Sequence, residues 1–195
     1  MCHFYEGRQD LAAALVPYFA AGLRNNERCI WVTAEPLDAA GAKLELQKAG
    51  LDAQTALQGA LTIRDHSDWY AHAGRLKGSK LVELWLAEEQ RAVAEGYNGL
   101  RITGNVTFVT PEAWPDFMEY EETVNDALHG RRIVSLCTYR LSQSGASEIL
   151  DVVRRHHCTL DRPDHGWQIL TGRGAEPLSG ALSPRKPRDA TSTQH

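Results

Sequence analysis

Nowhere do these 195 residues spell G-x-x-x-x-G-K-[ST], the pattern whose backbone N–H groups and lysine cradle phosphates while its hydroxyl holds magnesium. Also missing are a G-x-S-x-G elbow, an H-E-x-x-H pair, a G-x-G-x-x-G turn and any C-x-x-C. The familiar signatures of acyl transfer, zinc proteolysis, dinucleotide binding and dithiol redox chemistry are thus missing. No apolar run reaches the ~18–20 residues of a membrane span, and the N-terminus lacks the basic-then-apolar order of a secretory signal. The expectation is a cytoplasmic protein with no membrane contact. Its four cysteines, Cys2, Cys29, Cys137 and Cys158, therefore read as thiols rather than a disulfide framework. Cys29 and Cys137 lie inside apolar strand runs, where a small buried hydrophobe is the default.

Charge of one sign is also scarce. The formal net charge is -4, and 43% hydrophobic against 24% charged residues leaves core material for about one domain. Basic residues are dispersed, and the one local cluster, Arg185-Lys186-Pro187-Arg188, sits in a tail poor in apolar residues. That cluster reads as solvated, so no direct nucleic-acid partner is expected.

What is present alternates between strand and helix. His3-Phe4-Tyr5 opens as a strand, Asp10 is placed to cap a helix, and Leu11, Leu15, Tyr18, Phe19 and Gly22 share one face of it. Pro17 predicts a kink or break near Ala13 to Val16. Cys29 to Thr33 is a continuous apolar strand of the kind covered on both faces. A helix over 38–49 and a strand at Leu61-Thr62-Ile63 follow. The stretch Asp65 to Lys80, with His66, Trp69, Tyr70, His72, Gly74 and Gly78, reads as an ordered loop covering a crevice, or as aromatics sealing the core edge.

Leu81, Leu84, Trp85 and Ala92 stripe a helix ending near Gly96, and Leu100 to Phe108 then alternates strictly. Its polar face, Arg101, Thr103, Asn105 and Thr107, either lines a cavity or signals that the strand ends near Thr103. Phe117, Tyr120, Val124 and Leu128 mark a helix capped by Asp116 and closed by Gly130; a strand over Ile133 to Tyr139 and a helix over 145–157 come next. Gly166 to Leu170 is an expected edge strand. The domain is expected to span 1–170, with 171–195 a disordered tail. This order implies an α/β fold, a mainly parallel sheet covered by helices.

The strand, turn, helix and strand between His3 and Pro36 are laid out like the opening of a RecA/KaiC-type ATPase, with Glu6-Gly7-Arg8-Gln9-Asp10 where the phosphate loop would stand. Carboxylates occupy the phosphate position. Together with Ala21-Gly22-Leu23, Glu27-Arg28-Cys29, Arg101-Ile102-Thr103-Gly104, Glu119-Tyr120-Glu121, Asn125, Cys137, Tyr139 and Arg155-His156, these residues resemble the MEDS domain, the methanogen/methylotroph DcmR-type sensory domain. The resemblance spans roughly residues 1–160. It implies a RecA/KaiC-like three-layer sandwich lacking Walker A, and a signal-input module for small hydrocarbon-derived molecules, fused in relatives to DNA-binding or kinase parts. Asn105 stands where that pattern often has an acidic residue, and His157 where it often has proline.

In such a fold His3, Tyr5 and Glu6 end one strand, Thr103 and Asn105 another, and Tyr139 and Arg140 a third. Carboxyl ends of parallel strands are where open α/β sheets bind ligands. With Trp69 and Tyr70 from the covering loop, these residues are the expected small-molecule site, Arg140 answering an anionic group. His3 reads equally as a core histidine satisfied by backbone. Glu121 belongs to an acidic helix segment and either faces solvent or turns towards the crevice. Cys2-His3 and His156-His157-Cys158 carry metal- or haem-ligand atoms at the two ends of the domain, but their spacing matches no metal motif, so neither a metal nor another cofactor is expected.

The expected function is therefore sensing rather than catalysis. About 25 residues follow the domain, too few for an output module, so the expected partner is a separate regulatory protein, a kinase or transcription regulator. The competing reading is a degenerate ATPase-like interaction module that carries no small ligand and forms homo-oligomers or docks on a regulator; a further alternative is a Cys/His metal- or haem-binding sensor.

Overall fold

The computed structural model describes residues 1–51, 59–71, 78–106, 109–162, 166–171 and 174–177, with side chains undescribed at Tyr70, Ala71, Gly78, Pro111 and 174–177. Its elements are β1 (Cys2–Tyr5), α1 (Arg8–Arg24), β2 (Arg28–Thr33), α2 (Ala39–Lys48), β3 (Leu61–Asp65), α3 (His66–Ala71), α4 (Gly78–Ala94), β4 (Leu100–Asn105), α5 (Trp114–Leu128), β5 (Ile133–Arg140), α6 (Ala146–Arg155), β6 (Thr159–Asp161), β7 (Gln168–Thr171) and β8 (Gly174–Pro177). They build one sheet in the order β3-β2-β4-β5-β1-β6-β7-β8. From β3 to β6 all pairings are parallel, and β7 and β8 add antiparallel strands at one edge. The ordered sheet therefore reaches Pro177, past the boundary expected at 170, because β8 pairs with β7 from Thr171↔Gly174 to Gln168↔Pro177.

Strand alternation sorts the core into two layers. Tyr5, Cys29, Trp31, Leu61 and Leu136 pack against α1 and α2, with Phe19 stacked on Trp31 at 4.9 Å. Cys2, Tyr139, Ile30, Val32, Leu100 and Ile102 point to the opposite face, beneath α3 to α6. A central parallel sheet must be apolar on both faces, and β2 is, from Cys29 to Val32.

Several local expectations change. α5 begins at Trp114 with Ala113 as its N-cap, so Asp116 lies in the first turn rather than capping the helix. Gly7, not Asp10, is the N-cap of α1, and Asp10 in the first turn accepts the Glu6 N–H at Oδ2, 3.0 Å away. That reach back across the helix start satisfies a backbone donor that would otherwise lack a partner. Pro17 lies inside an unbroken α1 because it is exposed, so the helix bond it cannot make leaves a carbonyl that water can serve. Asp65 to Lys80 is less loop than expected: α3 occupies its first part and α4 begins at Gly78, while 72–77, with His72 and Gly74, lie outside the described residues.

Arg101, Thr103 and Asn105 line none of the cavities among the described residues, and Thr107 lies outside those residues. The polar stripe of β4 faces α1. Arg101 Nε meets Glu27 Oε2 at 2.6 Å with its guanidinium 4.7 Å above the Tyr18 ring, Thr103 donates to Leu136 O at 2.8 Å, and the Asn105 amide lies 3.3 Å from the Tyr5 hydroxyl. Buried polar groups need partners, and here each has one. The strand ends at Asn105.

Candidate functional site

The described residues leave two cavities of about 310 Å³ on the α5 face of the sheet. One opens at the carboxyl ends of β4 and β5, lined by Val106, Val109, Thr110, Trp114, Tyr139, Arg140, Gln143, Ser144 and Glu148. The other lies towards the amino ends, between α5, the first half of β5 and the end of α6, and includes Glu121, Val124, Leu128, Ile133, Ser135, Cys137 and His156 in its wall. Both are of ligand size.

The expected site residues divide among several places. Tyr139 and Arg140 line the carboxyl-edge cavity, where Arg140 Nε is buried without a hydrogen-bond partner. Tyr5 and Asn105 meet each other beneath α1, on the opposite face, and Thr103 is held by Leu136. His3 is buried on the β6 side, its Nδ1 2.9 Å from Leu160 O and its ring edge-on to Trp167 at 5.5 Å. Glu6 is exposed at the end of β1. Trp69 packs on Trp85 at 4.6 Å in the core, whereas the Tyr70 side chain lies outside the described atoms.

The amino-side cavity holds the denser chemistry. Glu121 of α5, Cys137 of β5 and His156 just past α6 bring one ligand-type atom each within 4.8 Å of one another. Glu121 does turn inward, as its position on α5 allows, but towards this cavity. The His156 and Glu121 side chains are only 7% and 6% exposed, so their contact is not screened as a surface pair would be.

Hydrogen-bond geometry fixes the ring. Nδ1 lies 2.8 Å from Val152 O, and a carbonyl only accepts, so Nδ1 carries a proton. Nε2 is then the atom aimed at Glu121 Oε2, 3.3 Å away. Burial alone would lower the His156 pKa, but hydrogen bonds to Cys137 and Glu121 and attraction by both groups overcome that, and the pKa is pushed up to about 11. Tyr139 stands edge-on to the ring at 5.9 Å; burial, with Glu121 nearby, raises its phenol pKa well above the ordinary value.

Among the described residues, Cys2, His3, His157 and Cys158, at the two ends of the domain, join no group of three or more ligand atoms. Cys2 Sγ contacts Thr159 Oγ1 at 3.3 Å and His157 stacks towards His129 with centroids 6.0 Å apart. Of the five residues considered there, His156 alone joins a cluster of ligand atoms, and its companions come from α5 and β5. In the sequence Glu121 belongs to an acidic helix segment, Cys137 to an apolar strand and His156 to the His156-His157-Cys158 run. Nothing in their spacing joins them, because one lies in a helix, one in a strand and one in a helix-end turn.

No helix among the described residues is long and apolar enough to cross a membrane. The fold is similar to a KaiC-like protein of the hyperthermophilic archaeon Pyrococcus horikoshii OT3, at TM-score 0.51 and 14% identity over 88% of this chain and 77% of that one. The flagellar accessory protein FlaH of Methanocaldococcus jannaschii matches at TM-score 0.47 and 15% identity, over 91% and 77%. No curated protein shows a significant sequence match. The model of the methanogen/methylotroph, DcmR sensory domain matches residues 1–157, and the chain belongs to that family, the MEDS domains.

Proposed function

We propose that this MEDS domain senses a small molecule in the amino-side cavity and passes the bound state to a regulatory partner. One observation carries the reading: a buried Glu121, Cys137 and His156 cluster forms part of the wall of a ligand-sized cavity that Val124, Leu128 and Ile133 also line. The wall is mixed, with Asn125, His129, Arg131 and His157 beside the apolar residues, and such a cavity suits a small molecule with an apolar body and a polar end. A simple hydrocarbon derivative has that form. The role is binding rather than catalysis, and the partner is a kinase or a transcription regulator.

Transmission fits the same geometry. The turn that carries His156 ends α6, whose Leu150 and Val153 are 52% and 43% exposed while Val152 is buried. A shift of His156 on ligand binding is therefore connected to an apolar outer face. That face also supports the competing reading, an assembly module without a small ligand.

Native mass spectrometry of the freshly purified domain separates the two. Sensing predicts a retained small molecule that is lost on Glu121→Gln substitution; an empty, self-associated protein would favour assembly.

A further inference from the structure

We propose that Glu121, Cys137 and His156 bind one divalent transition-metal ion of the zinc class, with an open position towards the cavity. The proposal deepens, and rests on, the reading of that cavity as the sensing site.

The donor set is the first argument. A carboxylate, a thiol sulfur and an imidazole nitrogen are the three side-chain types that zinc takes, and their ligand atoms lie within 4.8 Å of one another. Three protein ligands rather than four is the count of a site that keeps one position for an exchangeable ligand. All three residues line the 310 Å³ cavity, so that position is accessible to a small molecule.

Orientation is the second. Metal-bound histidine usually donates its other ring N–H to a carbonyl or carboxylate, which fixes the tautomer and turns the remaining lone pair to the ion. His156 has the Nδ1 half of this arrangement, with Nδ1 2.8 Å from Val152 O; its Nε2 proton, shared with Glu121 in the metal-free protein, and the Cys137 thiol proton would be released to solvent when an ion binds. The ring Nδ1–H reaches back four residues to the Val152 carbonyl at the end of α6, a bond that does not involve the atom facing the ion. The elements beneath the site are rigid, since Cys137 sits in a strand hydrogen-bonded on both sides, to β4 and to β1.

An ion here would couple a small molecule to the protein. A ligand carrying an oxygen, nitrogen or sulfur donor would complete the coordination sphere, and its apolar remainder would lie against Val124, Leu128 and Ile133. The expected ligand class is thus a small metal-coordinating compound such as a short alcohol, thiol or carboxylate.

Cobalt(II) serves as the probe, because its visible absorption is strong in tetrahedral sites and a thiolate ligand adds a charge-transfer band. The chelator-treated full chain should take up one cobalt ion with both features, and zinc should displace it. Cys137→Ser, close in size and leaving the helices untouched, should abolish the charge-transfer band, and His156→Gln should weaken zinc binding by more than about 100-fold, beyond what loss of a supporting group costs. Cys158→Ser should change neither. Circular dichroism of each variant establishes that it is folded. Absence of a cobalt spectrum in the folded wild type, or a spectrum unchanged in folded Cys137→Ser, would overturn the metal site. If the metal-free protein retained a small molecule, the sensing reading would stand without the metal; if cobalt bound at Cys137 and no short alcohol, thiol or carboxylate altered its spectrum, the metal site would stand and the sensing reading would fall.

Discussion

His156 on the turn after α6 and Glu121 within α5 meet at 3.3 Å across the amino-side cavity, each more than nine-tenths buried. Removing one partner of such a pair leaves the other charged and unmatched in a poorly solvated place, which costs about 3–5 kcal/mol. In the metal-free protein, Glu121→Ala is therefore expected to destabilise strongly, whereas Glu121→Ala combined with His156→Ala loses less than the sum of the two single changes. A double-mutant cycle by chemical denaturation checks this; additivity within about 0.3–0.5 kcal/mol would mean that the two side chains are energetically independent.

Gly22 is required by Arg101. A Cβ at residue 22 would come within 2.6 Å of Arg101 Cδ and Nε and 2.8 Å of Cys29 Sγ, and neither neighbour is free to move: Arg101 is held by Glu27 and Cys29 lies in β2. Gly22→Ala is expected to cost about 1–3 kcal/mol by overpacking. Gly7→Ala, where a Cβ would meet nothing within 4 Å, is the control and should cost clearly less. Equal midpoints for the two variants would contradict the packing of Arg101 beneath α1.

Alkaline pH should unfold the protein. Burial pushes the Tyr18 phenol well above its usual value and the Cys29 thiol up to about 12. Both groups keep their protons in the native state at pH values where the unfolded chain loses them. Their contribution to stability is fully present below about pH 8.5, the unfolded thiol value, and falls as pH rises through about 10, the unfolded phenol value, and beyond. Urea midpoints at pH 7, 9 and 10.5 should decrease in that order. Tyr18→Phe should flatten the decline while losing the hydroxyl bonds to Ile102 O and Val134 O, both 2.8 Å.

ATP-magnesium should bind weakly at most. At the start of α1 the Asp10 carboxylate accepts the Glu6 N–H, so negative charge stands where a phosphate would dock. Calorimetry should find no micromolar site; that affinity amounts to about 8 kcal/mol and needs a dedicated phosphate cradle.

Much of the layout was legible because hydrophobic period tracks burial. The apolar run Cys29 to Thr33, the stripe of Phe117, Tyr120 and Val124, and the helix expected over 38–49 are all in place. The short strand β6 was not legible: it has three residues and only half-buried or exposed side chains, so its pattern resembles a loop. The polar stripe of β4 misled for a physical reason. Its groups are satisfied by Glu27, Leu136 and Tyr5, partners distant in sequence, so nothing local marks them as buried. The general preference for carboxyl ends drew attention to Tyr139 and Arg140, while the Glu121, Cys137 and His156 cluster lies where two helices cross the other half of β5.

The central claim, that sensing occurs at this amino-side cluster, is tested most directly by hydrogen exchange on protein stripped of its retained small molecule and then given it back. Slowed exchange in the second half of α5, in Ile133 to Cys137 and around His156, lost in Glu121→Gln, is the predicted result. Protection confined to Val109–Trp114 and Leu141–Ser144, at the carboxyl-edge cavity, would contradict it.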